Sequence, residues 1–404
     1  MNIILLLKLY TRSYKITNSL KKNYFILYIM SESLANQLDD PQNLEKYKCA
    51  GKIITQVLDK IIKKIEIGSV LKDLCEYGDN ILKEYLNNAF SKKSINQICF
   101  PTCICKNEYA GYLNQSIEKV EEFDLLKIEL GAMVDGFPAL ICFTHYVIVE
   151  NSSNIDPNKE KKENLINCLS KMSKKAADLF KHETINTYFV SEMTNLCKLH
   201  KCNILDGMFD RSENHIPGQI FYQISKNIVF GRVDGYIDED ELHNLVIMRQ
   251  SDNFDFHLEK QELGFNETYF VDLSISTGKG KVSESEYKNN IYLRNIDKRV
   301  SLKLNISKNT LKSFDEKTII PKDFNLEIKK NNKLSMGIKE CVKNLLLEPF
   351  KIVKEKKNEY IARFGFTIII RRSSKKNKTG QIIIASRSLD SEIKKFELNQ
   401  STNA

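Results

Sequence analysis

Leu126-Lys127-Ile128-Glu129-Leu130-Gly131, followed after two residues by Val134-Asp135-Gly136-Phe137, is the stretch on which the fold turns. From Asp124 to Leu130 the residues carry a strand pattern, and Val134 to Phe137 reads as a turn into the apolar run from Ala139 to Val149. Ile98 to Ile104 reads as an earlier strand. On the N-terminal side, Ile53, Ile54, Val57, Leu58, Ile61, Ile62 and Ile65 recur at three and four, the period of an amphipathic helix. A second helix reads from Val70 to Phe90, with Gly68 as the stop of the first and Ser69 as N-cap.

On the C-terminal side, helices are predicted over Lys161–Lys181, with Lys171, Lys174 and Lys175 on its exposed side, and over Thr184–Leu199. Strands are expected near Ile228, near Val246 and over Tyr269–Ser276. Residues 277–335 are polar, rich in Lys and Asn and weakly patterned, like an insertion. Met336–Leu347 reads as a helix, and Tyr360–Arg371 and Gln381–Ala385 as strands. Segregated runs of helices and strands make the class α+β.

The 404 residues, 42% hydrophobic and 28% charged, suit one large or two smaller folded domains and exclude a disordered or fibrous chain. The net charge of +9 is not in itself a nucleic-acid signal. Lys8, Arg12, Lys15, Lys21 and Lys22 stand in an acid-free stretch of 29 residues, and without them 56 basic residues face 52 acidic ones. That extension opens with the apolar MNIILLLKLY, a pattern that fits an organellar transit peptide; the plainer expectation is that translation starts at Met30. No stretch reaches the roughly 18 apolar residues that span a bilayer, so no membrane partner is expected. The ten cysteines are scattered, as for reduced thiols in an intracellular protein. Neither Cys103 with Cys105 nor Cys197, His200 and Cys202 has the paired spacing of a closed zinc site.

A spaced series of short segments resembles the type 2 methionine aminopeptidases: Phe100-Pro101-Thr102, the two segments quoted first, Val271-Asp272-Leu273, and Ser276-Thr277-Gly278-Lys279-Gly280. Within that group the chain is most similar to the proliferation-associated, ErbB-receptor-binding branch. Leu74-Cys75-Glu76, Gly207-Met208, Met336 to Cys341, Leu345 to Phe350, and Ala362-Arg363-Phe364-Gly365-Phe366-Thr367 carry that likeness, over residues 40–385. It implies the pita-bread fold, with residues 277–335 inserted, 1–29 as an extension and 386–404 as a short tail. Active relatives hold two divalent metals on two aspartates eleven positions apart, a histidine and two later glutamates, which ionise a water for attack on the N-terminal peptide bond.

The resemblance places Glu129 at the first of these positions and Leu140 at the second, where no side-chain ligand is left. Met208 stands for the histidine, a soft thioether for hard ions. Asp272 takes the fourth position and Gly365, with no side chain, the fifth. Tyr112 falls where a substrate-facing histidine is expected, with His215 near a second. The site is thus expected to hold no metal or other cofactor and to have lost hydrolysis. None of the six histidines lies in a nucleophile motif, and Ser276 to Gly280 lacks the upstream glycine of a phosphate loop.

Function is then expected at the surface. Seven basic residues and no acid lie between Ile361 and Leu389, with Arg371, Arg372, Lys375, Lys376 and Lys378 in one loop that would attract phosphates. The resemblance implies ribosomal RNA or the large ribosomal subunit as partner, and a cytoplasmic, nuclear or nucleolar location. The lysine-rich tail common in that family is replaced by Gln400-Ser401-Thr402-Asn403-Ala404. Two other expectations stand beside the RNA-binding one: a residual metallo-aminopeptidase using Glu129 and Asp272, and a regulator that binds proteins without RNA.

Overall fold

The computed structural model describes residues 40–89, 96–149, 153–205, 219–230, 246–248 and 262–386 (without 297, 316, 317, 375 and 376), together with Leu38 and Lys260. It opens with α1 (Pro41–Lys64) and α2 (Leu71–Asn87). Asp40 caps α1 by accepting from the Gln42 amide at 2.9 Å, with Pro41 in the first turn. The helix buries Ile54, Val57, Leu58 and Ile61 on one face. Gly68, at φ +89°, makes the turn out of it. Ser69 is not the N-cap of α2: its hydroxyl accepts from the Glu66 amide at 3.2 Å, and Val70 holds the cap position. The backbone there is paired with another segment, Gly68 N–H donating to Val120 O and Val120 N–H to Ser69 O, so the helix starts one residue later.

The strands, in chain order, are β1 (Gln97–Lys106), β2 (Tyr109–Gly111), β3 (Leu125–Val134), β4 (Phe137–Tyr146), β5 (Asn203–Ile204), β6 (Gln219–Ile224), β7 (Val246–Met248), β8 (Glu267–Ser276), β9 (Ser283–Glu284), β10 (Ile291–Arg294), β11 (Lys322–Asp323), β12 (Leu347–Pro349), β13 (Ile352–Lys354), β14 (Ile361–Ser374) and β15 (Asn377–Ile384). Between them lie α3 (Lys159–Leu179), α4 (Asn186–Leu199), α5 (Asn305–Lys312), α6 (Asn325–Lys330) and α7 (Leu334–Lys343). The main sheet runs β1-β3-β4-β14-β8-β6-β7, with β15 beside β14 and β5 beside β8. The β3–β4 hairpin closes on two residues, Asp135 at φ +50° and Gly136 at φ +86°, with Val134 opposite Phe137. Two positive φ angles in a two-residue loop suit the twist of the strands it joins.

One face of this sheet packs on α1 to α4 through residues such as Ile128, Leu130, Ile141, Phe143, Leu273, Phe364 and Phe366. The opposite face carries a second core, Phe100, Tyr112, Leu140, Cys142, Tyr222, Phe230, Phe270 and Phe350 among it. Period-two alternation splits β3, β4, β8 and β14 between these two cores, which is why they read as unbroken apolar runs. The strand expected near Ile228 lies earlier, at β6, and Ile228 itself makes only isolated bridges to Ser225 and Ile319. Residues 277–335 contribute β9 to β11, α5 and α6. With α7 and β12 they form a small core of Leu302, Phe314, Phe324, Ile338, Cys341 and Leu346. Among the described residues no helix is long and apolar enough to cross a membrane.

Candidate functional site

Strand register sets the site. Directly opposed positions across five strands line up as Cys103 on β1, Glu129 on β3, Cys142 on β4, Gly365 on β14 and Asp272 on β8. Opposed residues share a face, so Glu129 and Asp272 point to the same side with the Cys142 and Gly365 positions between them. Two residues before Gly365, and so on the same face, stands Arg363, opposite Ser274.

The Arg363 side chain closes the gap between the two carboxylates. Nη1 donates to Glu129 Oε2 at 2.7 Å and Nη2 to Asp272 Oδ2 at 2.7 Å. Nε donates to Ser274 Oγ at 3.1 Å and to Asp272 Oδ1 at 3.3 Å. The Ser274 hydroxyl in turn donates to Asp272 Oδ1 at 3.1 Å. Arg363, Glu129 and Asp272 are 1%, 2% and 3% exposed, so the pairs are shielded from water. A planar guanidinium can serve two carboxylates at once with fixed geometry, which an ammonium cannot. Thr144 holds the backbone at this point, accepting from Arg363 N–H at 2.7 Å and donating to Arg363 O at 2.8 Å. Four residues on, Thr367 does the same for Leu140, accepting at 2.9 Å and donating at 3.0 Å.

Two carboxylates and one guanidinium leave a net negative charge when all are ionised. Burial pushes the Glu129 carboxyl up to about 7, with Arg363 pulling it down and Asp272 adding repulsion. Burial also works against the charge of Arg363, yet the flanking carboxylates outweigh it and hold the guanidinium protonated well above its ordinary range. One proton on the carboxylate pair makes the group electrically neutral, the state a low-dielectric core favours. Lys127, on the same face, is also buried, and burial lowers its ammonium to about 8. Its Nζ donates to the carbonyls of Asn107 at 2.8 Å and Leu125 at 3.1 Å.

The rest of the face is apolar. Leu140 is buried beside Cys142 in the second core. A Cβ built on Gly365 would stand 2.4 Å from Phe270 Cζ and 3.1 Å from Cys142 Cβ, so the space beside it is filled by a ring. Tyr112 lies with its ring edge-on to Phe100 and Phe350, at 5.5 and 4.8 Å between centroids, and Arg363 Cζ is 5.9 Å from the Tyr112 centroid. Burial raises the Tyr112 phenol well above its ordinary value, so it offers no base near neutrality.

The structure thus brings Glu129, Asp272, Leu140, Gly365 and Tyr112 to one face. Met208 and His215 lie outside the described residues. Arg363, which sequence inspection counts with the basic run of residues 361–389, belongs to this buried site. Parity was the available signal, since in a strand residue 363 faces the same way as residue 365. Of the five basic residues expected in one loop, Arg371 and Arg372 lie on β14 and Lys378 on β15, and they do not form a single described surface. Arg372 is exposed, whereas Arg371 is half-buried, and its Nε is buried with no acceptor among the described residues. Lys375 and Lys376 lie outside the described residues, and of Lys378 only the backbone position on β15 is described. Lys175 is paired with Glu192 at 2.9 Å and Lys171 lies 3.2 Å from the His200 ring, so that part of α3 is engaged within the fold. Cys197 and Cys202 are buried, Cys197 with its sulfur 3.3 Å from Met172 Sδ, while the His200 ring meets Asn164 and Lys171.

Residues 45–196 match the model of metallopeptidase family M24. The chain is 27% identical over 341 residues to ErbB-3 binding protein 1 of Solanum tuberosum, covering 82% of this chain and 80% of the relative. It is 26% identical over 357 residues to the curved DNA-binding protein of Schizosaccharomyces pombe, covering 86% and 84%. Among solved structures it resembles a thermophilic Arx1, with a TM-score of 0.68 at 18% identity over 86% of this chain and 91% of that one. It also resembles the methionine aminopeptidase of Thermotoga maritima, with a TM-score of 0.51 at 14% identity over 86% and 98%. The fold is that of the methionine aminopeptidases, the pita-bread fold.

Proposed function

We propose that this chain, a member of the proliferation-associated, ErbB-receptor-binding family within the M24 metallopeptidase-like proteins, works without catalysis as an adaptor that binds RNA or ribosomal particles. Its role is in growth, through ribosome assembly or translation, in the cytoplasm or nucleus. The observation that carries the reading is the Arg363 guanidinium seated between Glu129 and Asp272 at 2.7 Å from each. These residues do not fit a pair of divalent ions. A third cation would meet the guanidinium charge, Leu140 offers no donor atom, and the Phe270 ring fills the space beside Gly365. A catalytic metal needs about three protein ligands with an open position. Arg363 instead supplies, from the chain itself, the positive charge that two buried carboxylates require.

Support for a polyanionic partner comes from the basic run on β14 and β15, from the family resemblance, and from the Schizosaccharomyces pombe relative, which is named a curved DNA-binding protein. Ribosome co-sedimentation over a salt series tests the reading. Wild-type protein is expected to pellet with ribosomes at low salt and to be released as salt rises. Reversing charge at Arg371, Arg372, Lys375 and Lys376 is expected to weaken pelleting, and an unchanged profile would remove the basic hairpin from the interface. Turnover of a Met-initiated peptide with added cobalt or manganese would end the non-catalytic reading.

A further inference from the structure

Three segments far apart in sequence meet on the helix side of the sheet edge. His182 comes from the loop between α3 and α4, Phe265 from the turn before β8, and Arg372 from β14. The imidazole of His182 lies flat on the Phe265 ring, 3.6 Å between centroids and 8° between planes. Arg372 Cζ lies over the Phe265 ring, 5.0 Å from its centroid.

The stack is built rather than incidental. Leu263 N–H donates to Thr184 O at 3.0 Å, and Glu183 N–H donates to Leu263 O at 3.0 Å, which clamps the two loops together. Gly264 N–H donates to Glu267 Oε2 at 2.5 Å, fixing the turn that presents Phe265. Asn266, at φ +61°, donates its N–H to Ile370 O at 2.7 Å and tethers that turn to β14 just before Arg372. Phe265 packs inward against the main core, His182 keeps 28% of its side chain exposed, and Arg372 is exposed. No carboxylate among the described residues pairs with Arg372.

We propose that this stack is a docking platform for an unpaired base of a single-stranded polynucleotide, which lies on the outer face of the Arg372 guanidinium or of the His182 ring. The proposal rests on the polyanion-binding reading above and names the chemistry of the contact. A guanidinium held over an aromatic ring presents a planar cation at small further entropic cost, and bases stack on such planes and on imidazoles. Glu183 and Glu262 in these two segments are offset by Lys181 and Lys260, and Glu183 Oε1 lies 3.5 Å from His182 Nδ1, so among the described residues Arg372 is the single surplus charge and the point is no phosphate cluster. Base stacking therefore fits this point better than backbone contact, which falls to the neighbouring basic hairpin.

The test uses the full chain and single-stranded 12-mers of RNA and of DNA carrying 2-aminopurine, read by anisotropy and by quenching of the reporter base. Arg372→Lys keeps the charge and loses the plane. It is expected to weaken binding about tenfold, the scale of one lost base stack, with quenching reduced and the salt slope unchanged. His182→Ala is expected to act in the same direction. RNA and DNA strands distinguish which polynucleotide is preferred. Equal binding by wild type and Arg372→Lys, or duplex bound as tightly as single strand, overturns the platform. If wild type pellets with ribosomes yet binds no single strand, the platform falls and the adaptor reading stands. If it does neither, both fall.

Discussion

Replacing Arg363 by methionine would leave Glu129 and Asp272, both nearly inaccessible, without their shared cation. The side chain makes two hydrogen bonds of 2.7 Å to the carboxylates and two longer ones. Removing one partner of a buried ion pair costs about 3–5 kcal/mol. Here one guanidinium serves two acids, which puts the expected loss at the upper end of that range near pH 8. The carboxyls of the variant can recover part of it by taking up protons. With Arg363 gone, burial holds the Glu129 carboxyl further above its unfolded value, so the penalty is absent below about pH 4 and grows as pH rises through the folded value. In the wild type Glu129 already stands at about 7 for the same reason, in a milder form. Urea unfolding at pH 5 and pH 8 checks this: the deficit of Arg363→Met should be larger at pH 8. Adding Glu129→Gln and Asp272→Asn should restore most of the loss, because a fully neutral set needs no cation. A deficit under about 1 kcal/mol, or one equal at the two pH values, would refute the assignment of Arg363 as the charge that stabilises this site.

Glu129→Gln alone should flatten the pH dependence of the wild type. A folded pKa raised from 4.5 to about 7 contributes stability below pH 4.5 that is lost as pH rises to 7, and the amide has no such titration; urea midpoints at pH 5, 6, 7 and 8 measure the slope. Gly365→Ala should lower the thermal midpoint by a few degrees, since its Cβ would sit 2.4 Å from Phe270 Cζ and overpacking costs about 1–3 kcal/mol. Gly365→Glu, which places a longer, charged side chain at this position, should be harsher, and a stable Gly365→Glu protein would show that the space is not closed.

The hairpin from Leu126 to Phe137 and the helices before it were legible because each buries one face, and period alone assigns such elements. The two cores that divide the sheet explain why boundaries shifted by only a few residues at β1, β3 and β8. Glu129 and Asp272 were legible as acids in apolar strands. Arg363 was not, because a count of basic residues treats every arginine as surface; strand parity with Gly365 separates it from Arg372, and its place in mid-strand, between buried apolar residues, separates it from Arg371, which shares its parity. Residues 305–312 and 325–330 carry no visible period in the sequence. Those helices are one or two turns long and lean on Phe314, Phe324 and Ile338, anchors too far apart to show a period.

Parity along β14 also ties the buried site to the surface. Ten consecutive pairs with β8, from Ile361 to Ile370, run without a register shift, so the facing of each residue is fixed over that length. Arg363 and Gly365 face the carboxylates. Phe364, Phe366, Ile368 and Ile370 face the helices in the main core, and Arg372, two residues further along that parity, emerges over Phe265. With no side chain at position 365, β14 needs a cation facing Asp272 from another of its residues. Arg363 meets that need from within the strand. The same unshifted register places Arg372 where the aromatic stack requires it.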